Sequence, residues 1–397
     1  MTSENEEIME VGTHKQSIAE IIGNIFKDSM QKAIETGEKP IWTKGFWNAS
    51  VFNFTRPDYK YRAYNLILLD KFLSDKTPCV GTFKQWKALN VNDKSKEDKN
   101  KSIHIKKGAK GGLIVGFVPY YKVYESLKKE NEDEYNMLVE FVEKNKYKQN
   151  HKELFKPYID LGKMGMYMGL KGTTVFSIDD VENLSDKFKE KMNSILTKNR
   201  KEKEKALSES DTARADKIIK AYAESQNIEI TNVLTGIAGS AYYSPSENKI
   251  VCPLREQYKD DGMYYKTLFH ELGHSTHKET KRKTDDYAKE ELVAEFTACG
   301  LMEMCGLKMS GLEDNARAYI ESWGKRINSE RSKEENKTSE EKTDIDTVKE
   351  LFNKVDDKAL VFCLIEAEKA INAIMAKYQE RENEKTEETE NVKGEER

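Results

Sequence analysis

Histidine, cysteine and proline are all scarce in this chain, which has six, five and seven of them in 397 residues. The cysteines are dispersed and form no C-x-x-C pair, which argues against a cysteine-based metal site and favours reduced thiols. No apolar run approaches the length of a membrane span, and the acidic first ten residues lack the basic and apolar start of a secretory signal. We therefore expect a cytoplasmic protein without disulfides.

Positive charge and tryptophan are concentrated in one part of the sequence. The whole chain has a net charge of −4, but residues 39–122 alone have a net charge of +11 and contain Trp42, Trp47 and Trp86. Lysines attract phosphates and flat rings stack on unpaired bases, so this segment has the composition of a single-stranded nucleic-acid binder. The ordinary alternative is that the rings form a core and the lysines cover a solvated face.

A lysine- and glycine-rich turn lies within the basic segment, between the apolar stretches of residues 103–117. The pattern predicts a β-hairpin whose turn carries Lys106, Lys107 and Lys110. Glycines would let the backbone approach a phosphate while the lysines neutralise it. A plain surface turn is the alternative, and the residue order excludes a Walker A loop.

Three of the six histidines fall within residues 270–277, which read HELGHSTH. This stretch contains the H-E-x-x-H pattern of zinc sites. On a helix, His270 and His274 lie one turn apart on the same face, where both imidazoles can hold one metal ion. Glu271 would then stand beside the ion as the general base for hydrolysis. We expect His277 to be an exposed helix end rather than a further ligand.

The third ligand is expected from a second helix that begins near Tyr287. Glu291 and Glu295 share one face of this helix, and we predict Glu291 as the ligand and Glu295 as a carboxylate that orients a ligating histidine. The exchanged assignment remains open. Two imidazoles and a carboxylate favour Zn²⁺ without excluding Mn²⁺ or Co²⁺. Residues 250–253 are predicted to form a strand whose edge could hold an extended peptide.

Several segments, taken in order, resemble the ArdC-type antirestriction proteins, whose amino-terminal domain also occurs in TraC-type plasmid primases. The amino-terminal segments are YRAYNLILL at 61–69, TFKQW at 82–86 and IKKGAKG at 105–111. The carboxy-terminal segments are AYYSP at 241–245, IVCPLR at 250–255, YYKTLFHELGH at 264–274 and EELVAE at 290–295. The chain departs from the family pattern at Ala63, Tyr64 and Ser275, none of which is a predicted metal ligand.

The resemblance implies a protein of a mobile element that binds single-stranded DNA and protects incoming DNA from restriction, with a peptidase-type zinc site. A component of the restriction system is then a candidate protein substrate, and no membrane partner is expected. The residues predicted to contact DNA are Trp42, Trp47, Arg62, Tyr64, Asn65, Lys84, Gln85, Trp86, Lys106, Lys107 and Lys110.

We expect an α+β protein, with a small basic DNA-binding domain linked to a mostly helical zincin-like domain that has a short sheet. The predicted boundaries are 1–182 for the DNA-binding domain, with a charged insertion at about 123–160, and 226–378 for the zincin-like domain. Residues 183–225 are predicted to be a charged linker or solvated helix, 328–344 a disordered loop and 379–397 a disordered tail.

Two other functions remain compatible with the sequence. In the first, the metal site is structural or non-proteolytic, and the protein acts only by coating single strands. In the second, the chain is a primase accessory or a nuclease-like hydrolase, although it lacks the clustered aspartates of two-metal phosphodiester chemistry.

Overall fold

The computed structural model describes residues 17–43, 51–61, 63–70, 72–91, 93–146, 148, 150–206, 211–234, 241–282, 286–307, 320–321, 323–325 and 343–395. Helices and strands are interspersed in the first half and helices dominate the second, which confirms the predicted α+β class. The helices are α1 (Ile18–Thr36), α2 (Ala63–Asp70), α3 (Phe83–Ala88), α4 (Glu125–Glu130), α5 (Glu132–Asn145), α6 (His151–Asp160), α7 (Asp186–Ala206), α8 (Asp211–Gln226), α9 (Asp261–Ser275), α10 (His277–Thr280), α11 (Tyr287–Cys305), α12 (Asp344–Lys354) and α13 (Asp357–Glu395). The strands are β1 (Phe52–Asn53), β2 (Arg56–Lys60), β3 (Cys79–Thr82), β4 (His104–Ile105), β5 (Gly112–Val123), β6 (Met164–Ser177), β7 (Val181–Glu182), β8 (Glu229–Val233), β9 (Tyr242–Ser244) and β10 (Lys249–Pro253).

The chain forms two compact units. The smaller comprises Met1–Ile18 and Leu113–Thr174, and the larger comprises Ala19–Gly112 and Val175–Arg397. In the smaller unit, the long strands β5 and β6 are neighbours. The charged segment that the sequence predicts as an insertion folds as α4, α5 and α6, which pack on one face of these strands. Their shared core consists of Val123, Leu127, Leu138, Val142, Phe155 and Met164.

The larger unit contains the predicted strand at 250–253, which is confirmed as part of β10. β10 is the central strand of a three-stranded sheet, parallel to β8 and antiparallel to β9, so the expectation that the edge of this strand could hold an extended peptide is wrong. Helices α8, α9, α11 and α13 surround it with an apolar core. Farther toward the amino terminus, β1 pairs with β2 and β3, and β3 pairs with the end of β6.

The two helices predicted around the H-E-x-x-H motif and Glu291 are also confirmed. Asp260 caps α9 by accepting a hydrogen bond from the Met263 N–H at 2.9 Å. Asp286 caps α11 in the same way, and α11 ends at Gly306, which has a φ of 75°. Only glycine adopts this left-handed conformation without strain, so the sequence itself fixes where the helix stops.

An aromatic cluster joins the amino-terminal helix to α11. Trp42 stacks on Phe26 with ring centroids 5.9 Å apart and lies 5.1 Å from the ring of Phe352. The ring of Phe296, on α11, packs against the rings of Phe26 and Trp42, and the ring of Trp323 packs against Trp42. Residues of the basic amino-terminal segment therefore complete the core around the helix that carries Glu291.

The predicted β-hairpin at residues 103–117 is wrong. β4 pairs antiparallel with β7, with His104 opposite Glu182, and β5 has β6 as its neighbour instead. The local turn is present, because the Ala109 N–H donates to the Lys106 carbonyl and Gly108 has a φ of 82°. A turn is determined locally, whereas strand pairing depends on partners distant in the sequence.

Two other segments also differ from expectation. Residues 183–225, predicted to be a charged linker or a solvated helix, contain two helices, α7 and α8, of which α8 packs into the core through Ile218, Ile219 and Tyr222. The tail predicted to be disordered continues α13 as far as Glu395, since its glutamates and lysines are good helix formers. Most of the predicted loop at 328–344 lies outside the described residues.

Among the described helices, none has the length and apolar composition to cross a membrane.

We predict that Trp42→Ala lowers the free energy of unfolding by about 3–5 kcal/mol, because it removes a large side chain from a packed aromatic core. Urea unfolding of the full chain measures this effect. The control is Tyr59→Ala, which changes an exposed ring and should alter stability by less than about 0.5 kcal/mol. If Trp42→Ala were as stable as the wild type and lost only DNA binding, the ring would act at the surface and not in the core.

Candidate metal centre

Helix α9 presents two histidines to the same point. Its opposite side is fixed by Leu268, Phe269 and Leu272, which are buried in the apolar core. His270 and His274 are one turn apart, and their Nε2 atoms face each other at 2.9 Å. Two imidazole nitrogens thus converge on one point.

Glu291 of α11 completes a group of three. Its Oε2 lies 3.5 Å from the Nε2 of His270, and its Oε1 lies 3.4 Å from the Nε2 of His274. Gly273 allows this approach of the helices, because a Cβ atom at that position would stand 3.0 Å from the Cα of Ala294. The position of a glycine between the two ligating histidines therefore determines how closely the third ligand can come.

The three side chains fit one divalent ion. Ligands held about 2.0–2.1 Å from a tetrahedral ion lie about 3.3 Å from one another. The two Nε2 atoms are 2.9 Å apart, each lies 3.4 or 3.5 Å from one oxygen of the Glu291 carboxylate, and one donor atom from each of the three residues lies within 4.8 Å of the other two. Among the described residues, the group offers three ligands, the number that catalytic zinc sites take from the protein.

The charges around the histidines show which kind of ligand the site favours. Burial alone would lower the pKa of His274, but Glu290, Glu291 and Glu271 outweigh it and raise the pKa to about 10. Burial alone would raise the pKa of Glu291, but His270 and His274 hold it well below the usual range. The carboxylates thus create a strongly negative potential at the two imidazoles, which favours a cation.

His274 is supported from behind by a carboxylate and a buried guanidinium. Its Nδ1 lies 3.3 Å from the Oε1 of Glu290, and both Glu290 oxygens pair with Arg282, the Oε2 at 3.0 Å. Arg282 also donates to the carbonyl of Gly273 at 2.8 Å and to the hydroxyl of Thr276 at 2.6 Å. The guanidinium therefore fixes the end of α9 and the carboxylate that orients His274.

His270 has an equivalent arrangement on its other side. Its Nδ1 lies 3.7 Å from the Oε2 of Glu295, and the same oxygen accepts a hydrogen bond from Lys266 Nζ at 2.9 Å. The Cys299 thiol is 3.5 Å from the second oxygen of Glu295. Glu295 is fully buried, so the lysine supplies the charge that a carboxylate needs in such a place.

Pairing each outer carboxylate with a cation leaves a defined charge at the centre. Arg282 offsets Glu290 and Lys266 offsets Glu295, while Glu291 lies within 3.5 Å of both imidazoles. Metal-ligating imidazoles are neutral. A cation therefore suits this group of four carboxylates and two compensating cations better than an anion does.

Glu271 is buried next to the ligand group, on the turn between the two histidines. Burial raises the pKa of the Cys252 thiol to about 11, and the negative charge of Glu271 adds to this shift. Cys252, on β10, therefore lies close to Glu271. Tyr258 contacts the same thiol, with its hydroxyl 3.2 Å from the sulfur. The wall beside Glu271 is thus formed by β10 and by the segment that leads from β10 into α9.

The structure brings together the residues that the sequence singles out. His270, His274 and Glu291 form the ligand group, and Glu295 lies behind His270. Sequence reasoning missed Glu290, Arg282 and Lys266. Glu290 could have been found from the sequence, because it is adjacent to the predicted ligand Glu291. No pattern marks Arg282 or Lys266, because each acts through a partner distant in the sequence.

Three of the rings predicted to stack on DNA bases are buried in the core instead. Trp42 and Trp86 are each 1% exposed and Tyr64 is 2% exposed. Trp86 stacks on Phe54 with centroids 4.0 Å apart and donates its indole N–H to the Phe176 carbonyl at 3.2 Å. These rings have no face open to a base in this structure, because the core already covers them.

The remaining residues predicted to contact DNA are mostly polar. Asn65 is buried, and Gln85 bonds Asn53 and Thr55, which fixes the turn between β1 and β2. Trp47 and Arg62 lie outside the described residues. The predicted lysines are all exposed, as a phosphate contact requires; they are Lys84, Lys106, Lys107 and Lys110.

Two family models match the chain in separate regions. The model for the N-terminal domain of anti-restriction factor ArdC matches residues 19–159. The model for a zincin-like metallopeptidase matches residues 215–334, which include the complete ligand group. The two matches occur in the order that the sequence resemblance implies.

Individual proteins are similar over different extents. DNA primase TraC of Escherichia coli is 32% identical over 126 residues, which are 30% of this chain and only 8% of the primase. Crystal structures of the antirestriction ArdC protein from plasmid R388 align with TM-scores of 0.46 in the metal-free form and 0.47 in the Mn(II)-bound form. Their identities are 17% and 18%, and each alignment covers 91% of this chain and 98% of the other.

We predict that Arg282→Met destabilises the protein by about 3–5 kcal/mol, because it removes the buried guanidinium that compensates the largely buried carboxylate of Glu290. The double variant Arg282→Met with Glu290→Gln should recover part of this loss, and urea unfolding measures both. The matched control is Arg255→Met, which breaks the exposed pair with Asp261 and should cost about 1 kcal/mol or less. Equal losses in the single and the double variant would show that Arg282 acts by packing and not by compensating Glu290.

Proposed function

Since the chain is of the ArdC type, with an ArdC N-terminal domain followed by a zincin-like metallopeptidase domain, we propose that it binds single-stranded DNA and hydrolyses a peptide bond. The combined activities would protect the incoming DNA of a mobile element from restriction. The substrate would be a protein, such as a component of the restriction system, and the site of action the cytoplasm. The observation that carries the peptidase proposal is the convergence of His270, His274 and Glu291 beside Glu271.

The ion proposed for the site is Zn²⁺, held by the two Nε2 atoms and by Glu291. Nitrogen and carboxylate donors at these separations suit zinc, although Mn²⁺ and Co²⁺ accept the same donor types. When bound, such an ion supplies Lewis acidity, which polarises a peptide carbonyl and makes water a stronger acid.

The chain's own residues would move the proton. The Glu271 carboxylate accepts a proton from the attacking water, whose oxygen forms a bond to the peptide carbon. Glu271 then donates this proton to the leaving nitrogen as the C–N bond breaks, so that one water is consumed and the carboxylate is restored. Burial of Glu271 excludes bulk water that would otherwise compete for the proton.

An extended substrate would bind along β9. This strand is at the edge of its sheet, because only β10 pairs with it among the described strands. Its outer backbone groups can form hydrogen bonds with an added strand, which gives affinity without strict sequence preference. Backbone recognition of this kind suits a peptidase whose substrate must be locally extended.

DNA binding is proposed for the exposed lysines of the ArdC N-terminal domain. Lys107 and Lys110 flank the glycine turn at Gly108, and Lys106 is held at the same turn by donating to the Asp179 carbonyl at 2.8 Å. A rigid turn that presents several ammonium groups can follow a phosphate backbone. Similarity to a segment of a primase is compatible with this role and also with a primase accessory.

We predict that Glu271→Gln retains metal binding but lowers the rate of proteolysis by about 10²–10⁴-fold, since the amide cannot accept the proton. Elemental analysis and a peptide-cleavage assay on the full chain test the two parts. Glu256→Gln, an exposed glutamate before α9, is the control and should leave both properties unchanged.

An antirestriction assay with the same two variants separates the alternatives. Loss of protection with Glu271→Gln supports the peptidase. If protection survives while metal content and fold are intact, the protein acts by coating single strands, and the metal site has a structural role.

We predict that binding of single-stranded DNA weakens as the salt concentration rises. Replacing Lys106, Lys107 and Lys110 together by Gln should reduce the magnitude of the slope of log affinity against log salt by about 2. Fluorescence anisotropy at several salt concentrations measures the slope. The matched control replaces three exposed lysines of α7, namely Lys187, Lys191 and Lys198, and should leave the slope unchanged. An affinity that is independent of salt in the wild type would contradict a phosphate-dominated mode.

A further inference from the structure

The smaller unit has an exposed sheet face with three tyrosines. Side chains alternate along a strand, and Tyr121 and Val123 of β5 point toward α5 and α6. Tyr120, which precedes Tyr121, and Tyr124, which follows Val123, therefore lie on the opposite face, where they are 40% and 36% exposed. Tyr167 of β6 is 51% exposed.

Two glycines of β6 show that these three rings share one face. A Cβ atom at Gly169 would overlap the ring of Tyr120. A Cβ atom at Gly165 would stand 2.7 Å from the Tyr124 hydroxyl oxygen and 2.9 Å from the Tyr167 ring. The rings thus rest on glycine backbone, which supports them from below and leaves their outer surfaces in solvent.

The spacing of the rings suits several consecutive bases. Four residues of a strand extend about 13 Å, so Tyr120 and Tyr124 are separated by that distance along β5. Tyr167 belongs to the neighbouring strand, which lies about 4.8 Å away. Sheet faces with two or three exposed aromatic side chains are a known way to stack two or three unpaired bases.

The charge of this face is complementary to a phosphate backbone. Lys122 lies between Tyr120 and Tyr124 and is exposed, and Lys171 follows Gly169 at the next position on the same side of β6. Neither β5 nor β6 contains an aspartate or a glutamate. Aromatic rings with lysines and without acidic groups match a nucleic-acid strand better than an acidic or purely apolar partner.

We propose that the face formed by Tyr120, Tyr124 and Tyr167 is a stacking platform for the bases of a single-stranded nucleic acid, an inference that rests on the proposed DNA-binding function. Lys122 and Lys171 contact the phosphates beside the stacked bases. The platform supplies the ring surfaces that the sequence predicts for Trp42 and Trp86, whose own rings belong to the core.

Replacement of single rings tests the platform. In the full chain, Tyr120→Leu and Tyr167→Leu each weaken binding of a labelled oligothymidine by about 5- to 150-fold, because leucine still covers the glycine but offers no ring face. Tyr120→Phe and Tyr167→Phe retain the ring and bind as the wild type does. Met137→Ala removes an exposed side chain from α5 of the same unit and serves as the control.

A pair of glycine variants separates ring position from ring identity. Gly169→Ala displaces the ring of Tyr120 and weakens binding, although all three tyrosines remain. Gly116→Ala lies on β5, where a Cβ atom meets no neighbour within 4 Å, and leaves binding unchanged. Circular dichroism of each variant verifies that the fold is retained.

The outcomes distinguish failure of the platform from failure of DNA binding. If the leucine variants bind normally while the Lys106, Lys107 and Lys110 triple variant binds weakly, the platform is rejected and DNA binding stands. If the wild type binds neither oligothymidine nor oligouridine, both proposals are rejected. A parallel measurement with oligouridine shows whether the protein prefers DNA to RNA.

Ultraviolet crosslinking to wild-type protein provides a test that needs no variant. We expect crosslinked peptides from residues 112–124 and 164–171. Crosslinks confined to residues 84–110 would overturn the platform, because bases stacked on the tyrosines must lie within bonding distance of them.

Discussion

The burial of several carboxylates beside two histidines is the constraint on which the rest of the structure depends. An isolated charge in such surroundings is strongly destabilising unless it is paired. The protein pairs Glu290 with Arg282 and Glu295 with Lys266, and it places these pairs behind the two imidazoles. The same cations thus compensate the two outer carboxylates, while Glu291 lies beside both imidazoles at the centre of the site.

Helix α11 connects this electrostatic arrangement to the core. On one side it carries Glu290, Glu291 and Glu295, and on another Phe296 packs on Phe26 and Trp42 of the amino-terminal segment. A residue of the region matched by the ArdC N-terminal model therefore helps to position the helix that carries Glu291, the third candidate ligand. The two matched regions share one hydrophobic core in the larger unit.

The grouping of the candidate ligands could be predicted from the sequence because their geometry is local. Helical periodicity alone places His270 with His274 and puts Glu291 and Glu295 on one face. Arg282 and Lys266 could not be predicted in this way, since a buried cation is recognised only through its partner. The pairing of β4 with β7 could not be predicted either, because the apolar pattern of residues 103–117 also fits a hairpin.

Aromatic residues show the limit of composition as evidence. Tryptophan is concentrated in the basic segment, yet Trp42 and Trp86 are core residues with packed rings. The exposed rings of the smaller unit are tyrosines that lie over glycines, an arrangement visible only once the strands are paired. Exposure, and not residue type, determines which rings can meet a base.

A crystal structure of the protein soaked with Zn²⁺, with anomalous scattering to locate the ion, tests the central claim most directly. The account predicts one ion bound by His270 Nε2, His274 Nε2 and Glu291, with Glu290 and Glu295 still paired with Arg282 and Lys266. An ion coordinated by Glu290 or Glu295, or the absence of any ion between the two histidines, would contradict it.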